Sequence, residues 1–181
     1  MTKHLFAISA VVLLLGLTAV VRLWPHAINR TFSQHVARYK KAIIFYSVIF
    51  CLVLPLMIIF FFKWFIPYFS LNIWFAACIV CASGLQLACT FIPEVGGTKS
   101  VIHRGLAFLS ADFLLPALIL LAFSSAVSSV GRASAVLASA VMATVIAIML
   151  VNKAEHKYLL VLQALYFTAF FLVILVTTYV S

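Results

Sequence analysis

Six apolar runs, near residues 5–23, 42–62, 71–91, 102–123, 133–151 and 158–180, occupy most of this 181-residue chain. Each holds 19 to 23 residues, enough at about 1.5 Å per residue to cross the ~30 Å hydrocarbon layer of a bilayer. Only helices and closed barrels satisfy their backbone polar groups in lipid, and runs of this length are helical. The expected fold is therefore all-α: a polytopic, six-transmembrane-helix bundle with short loops, read as a single transmembrane domain over residues 1–181. Composition closes the alternatives. With 67% hydrophobic and 8% charged residues, the chain has too little polar surface to coat a water-soluble globule, and it is too apolar for disorder.

The net charge of +9 comes from twelve Lys and Arg against three acids. In a soluble chain such a balance points to nucleic acid. Here the charges lie between apolar runs, so they read as topology signals and as contacts to anionic lipid headgroups. Nine of the twelve fall on the odd-numbered loops: Arg22, Arg30, Arg38, Lys40 and Lys41, then Lys99 and Arg104, then Lys153 and Lys157. Only Lys3, Lys63 and Arg132 lie elsewhere. The positive-inside rule then puts the odd loops in the cytoplasm of a prokaryotic cell and both termini outside. Trp24, Trp64 and Trp74 sit near the ends of runs, as an interfacial aromatic belt requires. In the fifth run, Ala135, Ser139, Ala143 and Ala147 form a small-residue series at i, i+4 spacing. Such a series suits close helix packing, either inside the bundle or in a homodimer.

The scarcity of acids excludes much chemistry. Asp112 is the only Asp, so a one-chain aspartyl dyad is impossible. Cys81-Ala82-Ser83-Gly84 is similar to the Gly-x-Ser-Gly of rhomboid proteases, but the sixth run contains no His to act as base. Cys78-x-x-Cys81 has redox spacing, yet it lies inside an apolar helix where buried thiols behave as small hydrophobes. The five His residues are terminal or interfacial, which leaves no axial pair for a haem and no pair at a recognised metal spacing. No cofactor and no metal is expected.

Two polar features remain. His35, Glu94, His103 and Arg104 fall at one membrane face, where they are expected to meet at the mouth of the bundle and bind an anionic headgroup. Arg30, Arg38, Lys40 and Lys41 would ring the rim. Glu155 and His156 belong to the same face. The second feature is Asp112, near the middle of the fourth run, where a charge costs at least ~2.5–3.5 kcal/mol. Pro116 follows four residues later and removes the helical hydrogen bond to the Asp112 carbonyl. The pair fits either a proton- or substrate-binding carboxylate in a polar cavity, or a structural Asp hydrogen-bonded inside the bundle.

The segment Phe91-Ile-Pro-Glu-Val-Gly-Gly with His103-Arg104 after it, and Ser33-Gln34-His35 ahead of the second run, carry a family resemblance. Together with six short-looped helices they resemble a prokaryotic integral membrane family of unknown function, distantly similar to the Frag/DRAM-like proteins. In that family a Phe-Pro pair ends the third span and a His opens the fourth. The resemblance implies the same fold and carries no activity with it. Three functional classes stay open: a non-enzymatic bundle binding lipids or partner proteins, a small transporter or channel component using Asp112, and a lipid-acting enzyme with a polar site at one face.

Overall fold

The structure, a computed structural model, describes residues 2–151 and 158–180. Lys153, Glu155, His156 and Lys157 lie outside the described residues. After a 3₁₀ turn at Thr2–His4 come helix α1 (Leu5–Leu23), the short α2 (Phe32–Val36), α3 (Lys40–Phe60), α4 (Ile73–Phe91), α5 (Gly97–Ala122), α6 (Ser129–Val151) and α7 (Leu159–Val180). Among the described residues there is no strand. Six of the helices are long and apolar enough to cross a membrane, so this is an all-α membrane protein.

Leu14 is 67% exposed and Leu137 68%, and large apolar side chains on every long helix likewise face outward. Such a surface is stable in hydrocarbon and not in water. Each long helix packs on its predecessor in the chain, and α7 returns to α1, where the contact is sparsest. Gly16 lets α1 approach α3: a Cβ built there would collide with the Ile49 side chain.

Several helices run past their apolar runs. The second span was expected over 42–62 and instead extends through a π-helical turn at Phe61–Phe65 to a last turn at Ile66–Tyr68. The wider turn resets the hydrogen-bond ladder, so Pro67 falls at a first-turn position that needs no N–H. The fourth span begins at Gly97 rather than 102 because Thr98 and Lys99 are helical outside the apolar stretch. Gly96 (φ 97°) and Gly97 (φ 59°) make the turn before it, in backbone regions that L side chains avoid.

The small-residue series of α6 packs only in part. Ala135 is buried, Ser139 half-buried, and Ala143 and Ala147 are exposed. Four residues turn a helix by about 400°, so an i, i+4 series drifts ~40° per step and winds off the packed face. The buried edge of α6 is instead Ala135, Ala138, Met142 and Val145.

Candidate functional site

The site is organised around Glu94, in the loop between α4 and α5, whose side chain is only 2% exposed. It meets the loop between α1 and α3. There Thr31 caps α2 reciprocally: its hydroxyl accepts from the Gln34 backbone N–H, and the Gln34 side-chain oxygen accepts from the Thr31 N–H. This capping box fixes the α2 side chains that reach the carboxylate. Ser33 Oγ donates to Glu94 Oε2 at 2.9 Å and Thr31 Oγ1 at 3.1 Å, while Gln34 Nε2 donates to Oε1 at 2.9 Å. From the start of α5, Ser100 Oγ lies 3.5 Å and Arg104 Nε 3.8 Å from Oε1. A buried carboxylate needs several such donors to offset its lost hydration.

His103 closes the other side. Its Nδ1 donates to the Ile92 carbonyl, which turns Nε2 toward Glu94, 4.0 Å from Oε2. Cys89 Sγ lies 3.4 Å from both ring nitrogens. Equal distances put the sulfur off the Nε2 lone-pair axis, so this contact lacks the alignment of a nucleophile and its base. Among the described residues no three His, Cys, Asp or Glu side chains converge as a metal-binding group.

Below this polar mouth a cavity of about 470 Å³ runs into the bundle. Its upper wall carries Asn29, Arg30, Thr31, Gln34, Glu94 and Arg104, and its depth is lined by Phe108, Leu114, Ile146, Met149 and Phe167. Cross-links hold the walls apart and in register. Gln163 Oε1 of α7 accepts from the Phe32 N–H at 3.0 Å, Tyr166 OH donates to the Ala111 carbonyl at 2.6 Å, and Ser110 Oγ donates to the Ala82 carbonyl at 2.9 Å. The combination of an apolar depth and a few convergent polar groups is that of a ligand pocket.

Of the residues expected to bind a ligand, Glu94, His103 and Arg104 line this cavity, as does Arg30 from the expected rim. Arg38 lines a shallower pocket beside it with His26 and Gln34, and Lys40 and Lys41 are exposed at the start of α3, away from both. In that shallower pocket the His26 imidazole titrates below its ordinary range. Partial burial is the largest cause, followed by the charges of Arg38, His35 and Arg30. His35 and Asp112, the other two residues of the expected set, are not among the residues lining these two pockets. His35 sits on the far side of α2, 1% exposed, with Nδ1 bonded to the Thr31 carbonyl and its ring against His26. The register of α2 turns Thr31, Ser33 and Gln34 toward Glu94, so His35 faces away. Asp112 follows Ser110 and Ala111, which face the cavity, and one further step of ~100° turns it outward, where it is exposed.

The residues that sequence reasoning passed over are Tyr46 and Tyr166, which line the interior, and the capping role of Thr31. The Thr-x-x-Gln spacing of that cap is a readable signal. No such signal marks the tyrosines. Comparison of the chain with protein families, curated proteins and solved structures finds no match.

Proposed function

We propose that this membrane protein holds one amphiphilic ligand, with an anionic headgroup at the Glu94 mouth and an apolar tail in the cavity beneath it. The observation that carries the reading is the gradient along one continuous cavity, from Arg30 and Arg104 at its opening to Phe108, Leu114, Ile146, Met149 and Phe167 in its depth. The sign of the headgroup follows from charge. Glu94 is already engaged by hydroxyl, amide and guanidinium donors, whereas Arg30, Arg38 and Arg104 keep exposed surface toward the opening. A phosphate or carboxylate headgroup meets these guanidiniums with charge-assisted hydrogen bonds. On the positive-inside rule the mouth opens to the cytoplasmic leaflet, where anionic lipids supply such a group.

Purified protein mixed with phosphatidylglycerol or phosphatidylcholine and examined by native mass spectrometry tests the proposal. The expected result is one retained phosphatidylglycerol per chain, weakened about tenfold in the Arg30→Ala, Arg104→Ala double variant. Equal retention of the two lipids, or retention indifferent to the arginines, would overturn it.

A further inference from the structure

The outward carboxyl of Asp112 is a feature that the cavity does not use. Its depth can be fixed from inside the bundle. The Ser110 hydroxyl of α5 is bonded to the carbonyl of Ala82, the tenth of the nineteen residues of α4. Asp112 lies two residues further along α5, about 3 Å of rise, and therefore within about 3 Å of the midpoint of α4. It is exposed there, and among the described residues it has no hydrogen-bond or ion-pair partner. Arg104, the nearest cation on its own helix, is eight residues or about 12 Å away. The other described Lys and Arg residues lie at or near helix ends.

The surface around Asp112 is shaped for a close neighbour. α4 and α5 run antiparallel, so the carboxyl is level with Val80 and Cys81 of α4. Ser110 points at α4, and two further steps of ~100° turn Asp112 to the side of α5 away from α4; Gly105 is exposed on that same side, and a Cβ built on it would meet nothing within 4 Å. On α5 the exposed neighbours are Leu109 and Pro116. A second helix can come near the backbone here, which is what holds helices together in lipid.

We infer that the outer face of α5, with Asp112 at mid-membrane among Gly105, Leu109 and Pro116, docks a transmembrane helix of another membrane protein carrying a Lys or Arg at mid-depth. Charge complementarity selects this occupant. A carboxyl in hydrocarbon gains most from a cation that is equally costly to leave alone, and each removes the other's penalty. A second copy of this chain would bring no cation to that depth, only another Asp112. The inference uses nothing in the cavity and stands or falls apart from the proposed ligand.

The experiment uses the full chain in phosphatidylcholine vesicles, which carry no net charge to attract a cationic peptide. The probes are two fluorescent 21-residue Leu/Ala transmembrane peptides, one with a single central Lys and one with Leu there, and energy transfer reports association. The Lys peptide is expected to associate about tenfold more tightly, the order of a strong interhelical polar contact. That preference should vanish in Asp112→Leu and in Asp112→Asn and persist in Asp112→Glu. Equal association of the two peptides, or a preference that survives both Asp112→Leu and Asp112→Asn, overturns the inference. Energy transfer between labelled copies of the protein that disappears with Asp112→Leu overturns it in favour of self-association.

Discussion

The two ends of this bundle solve the same problem in opposite ways. At one end, where α1 and α4 begin and α3 and α7 finish, Phe6, Phe60, Phe61, Phe65, Phe69 and Phe75 are each no more than 1% exposed. Phe6 alone meets Phe60, Phe61, Phe170 and Phe171, with ring centroids 5.1 to 6.5 Å apart. Outside this plug, Trp64 stacks on Tyr68 at 4.9 Å, and Lys3 lies over the Trp64 and Tyr179 rings. At the other end Glu94 gathers donors from α2 and α5 and leaves a cavity below it. Ring packing has no directional requirement and closes the space. A hydrogen-bonded carboxylate needs its partners at fixed positions, and holding them there keeps a cavity open. One end is sealed, and the other holds a cavity.

The comparison predicts unequal responses to truncation. Phe6 connects α1 to both α3 and α7, across the ring's sparsest seam. Phe6→Ala should therefore cost about 3–5 kcal/mol, the usual penalty for emptying a fully packed aromatic site. Thermal unfolding in detergent should show this as the largest single loss, and lipid retention at the other end should be unchanged in whatever fraction stays folded. A loss below 1 kcal/mol would mean that the rings fill space without holding the seam. Glu94→Ala comes next. It strands the donors of Thr31, Ser33 and Gln34, so about 1.5–3 kcal/mol should be lost. Here α2 should also loosen, read as faster amide exchange at His35 and Ala37, whose N–H groups bond back to Thr31 and Ser33. Unchanged exchange would show that the capping box holds α2 without the carboxylate.

The spans were legible because hydrocarbon demands an unbroken apolar run, and nothing else in the chain competes with that signal. Loop contents were legible only in part. Glu94, His103 and Arg104 could be placed at one mouth because short loops on one face must meet there. Which of their neighbours face inward depends on helix register, and from Leu106 to Ala122 α5 carries only Ser110 and Asp112 as polar residues, on opposite sides, so its sequence has no marked face there. Both sequence readings of Asp112, in a polar cavity or hydrogen-bonded inside the bundle, turn it inward where the structure has it exposed, and His35 is expected with Glu94, His103 and Arg104 although α2 turns it away from them. The extension of α3 through Pro67 was hidden for a different reason. A proline normally ends a helix, and only the π-helical turn at Phe61–Phe65 makes its position harmless.

The smallest effect separates the ends by pH. His26 lies at the polar end, half-buried against Arg38, His35 and Arg30. Its own burial, then those positive neighbours, hold its folded pKa below the ordinary 6.5. A depressed histidine binds fewer protons in the folded state than in the unfolded one. Its cost is therefore absent above about pH 6.5 and grows as pH falls below that value, when the unfolded chain takes up the proton first. The melting temperature in detergent should drop between pH 8 and pH 5, and His26→Gln should remove part of that drop. Taking the difference between wild type and variant isolates this histidine from every other group that titrates in the same window. Because Phe6 lies at the opposite end, the His26 increment should be the same with Phe6 or Ala at that position, as independent sites add. An increment that changes with Phe6→Ala would mean that the plug and the polar mouth are mechanically coupled through the bundle, and that the two ends are not separate solutions.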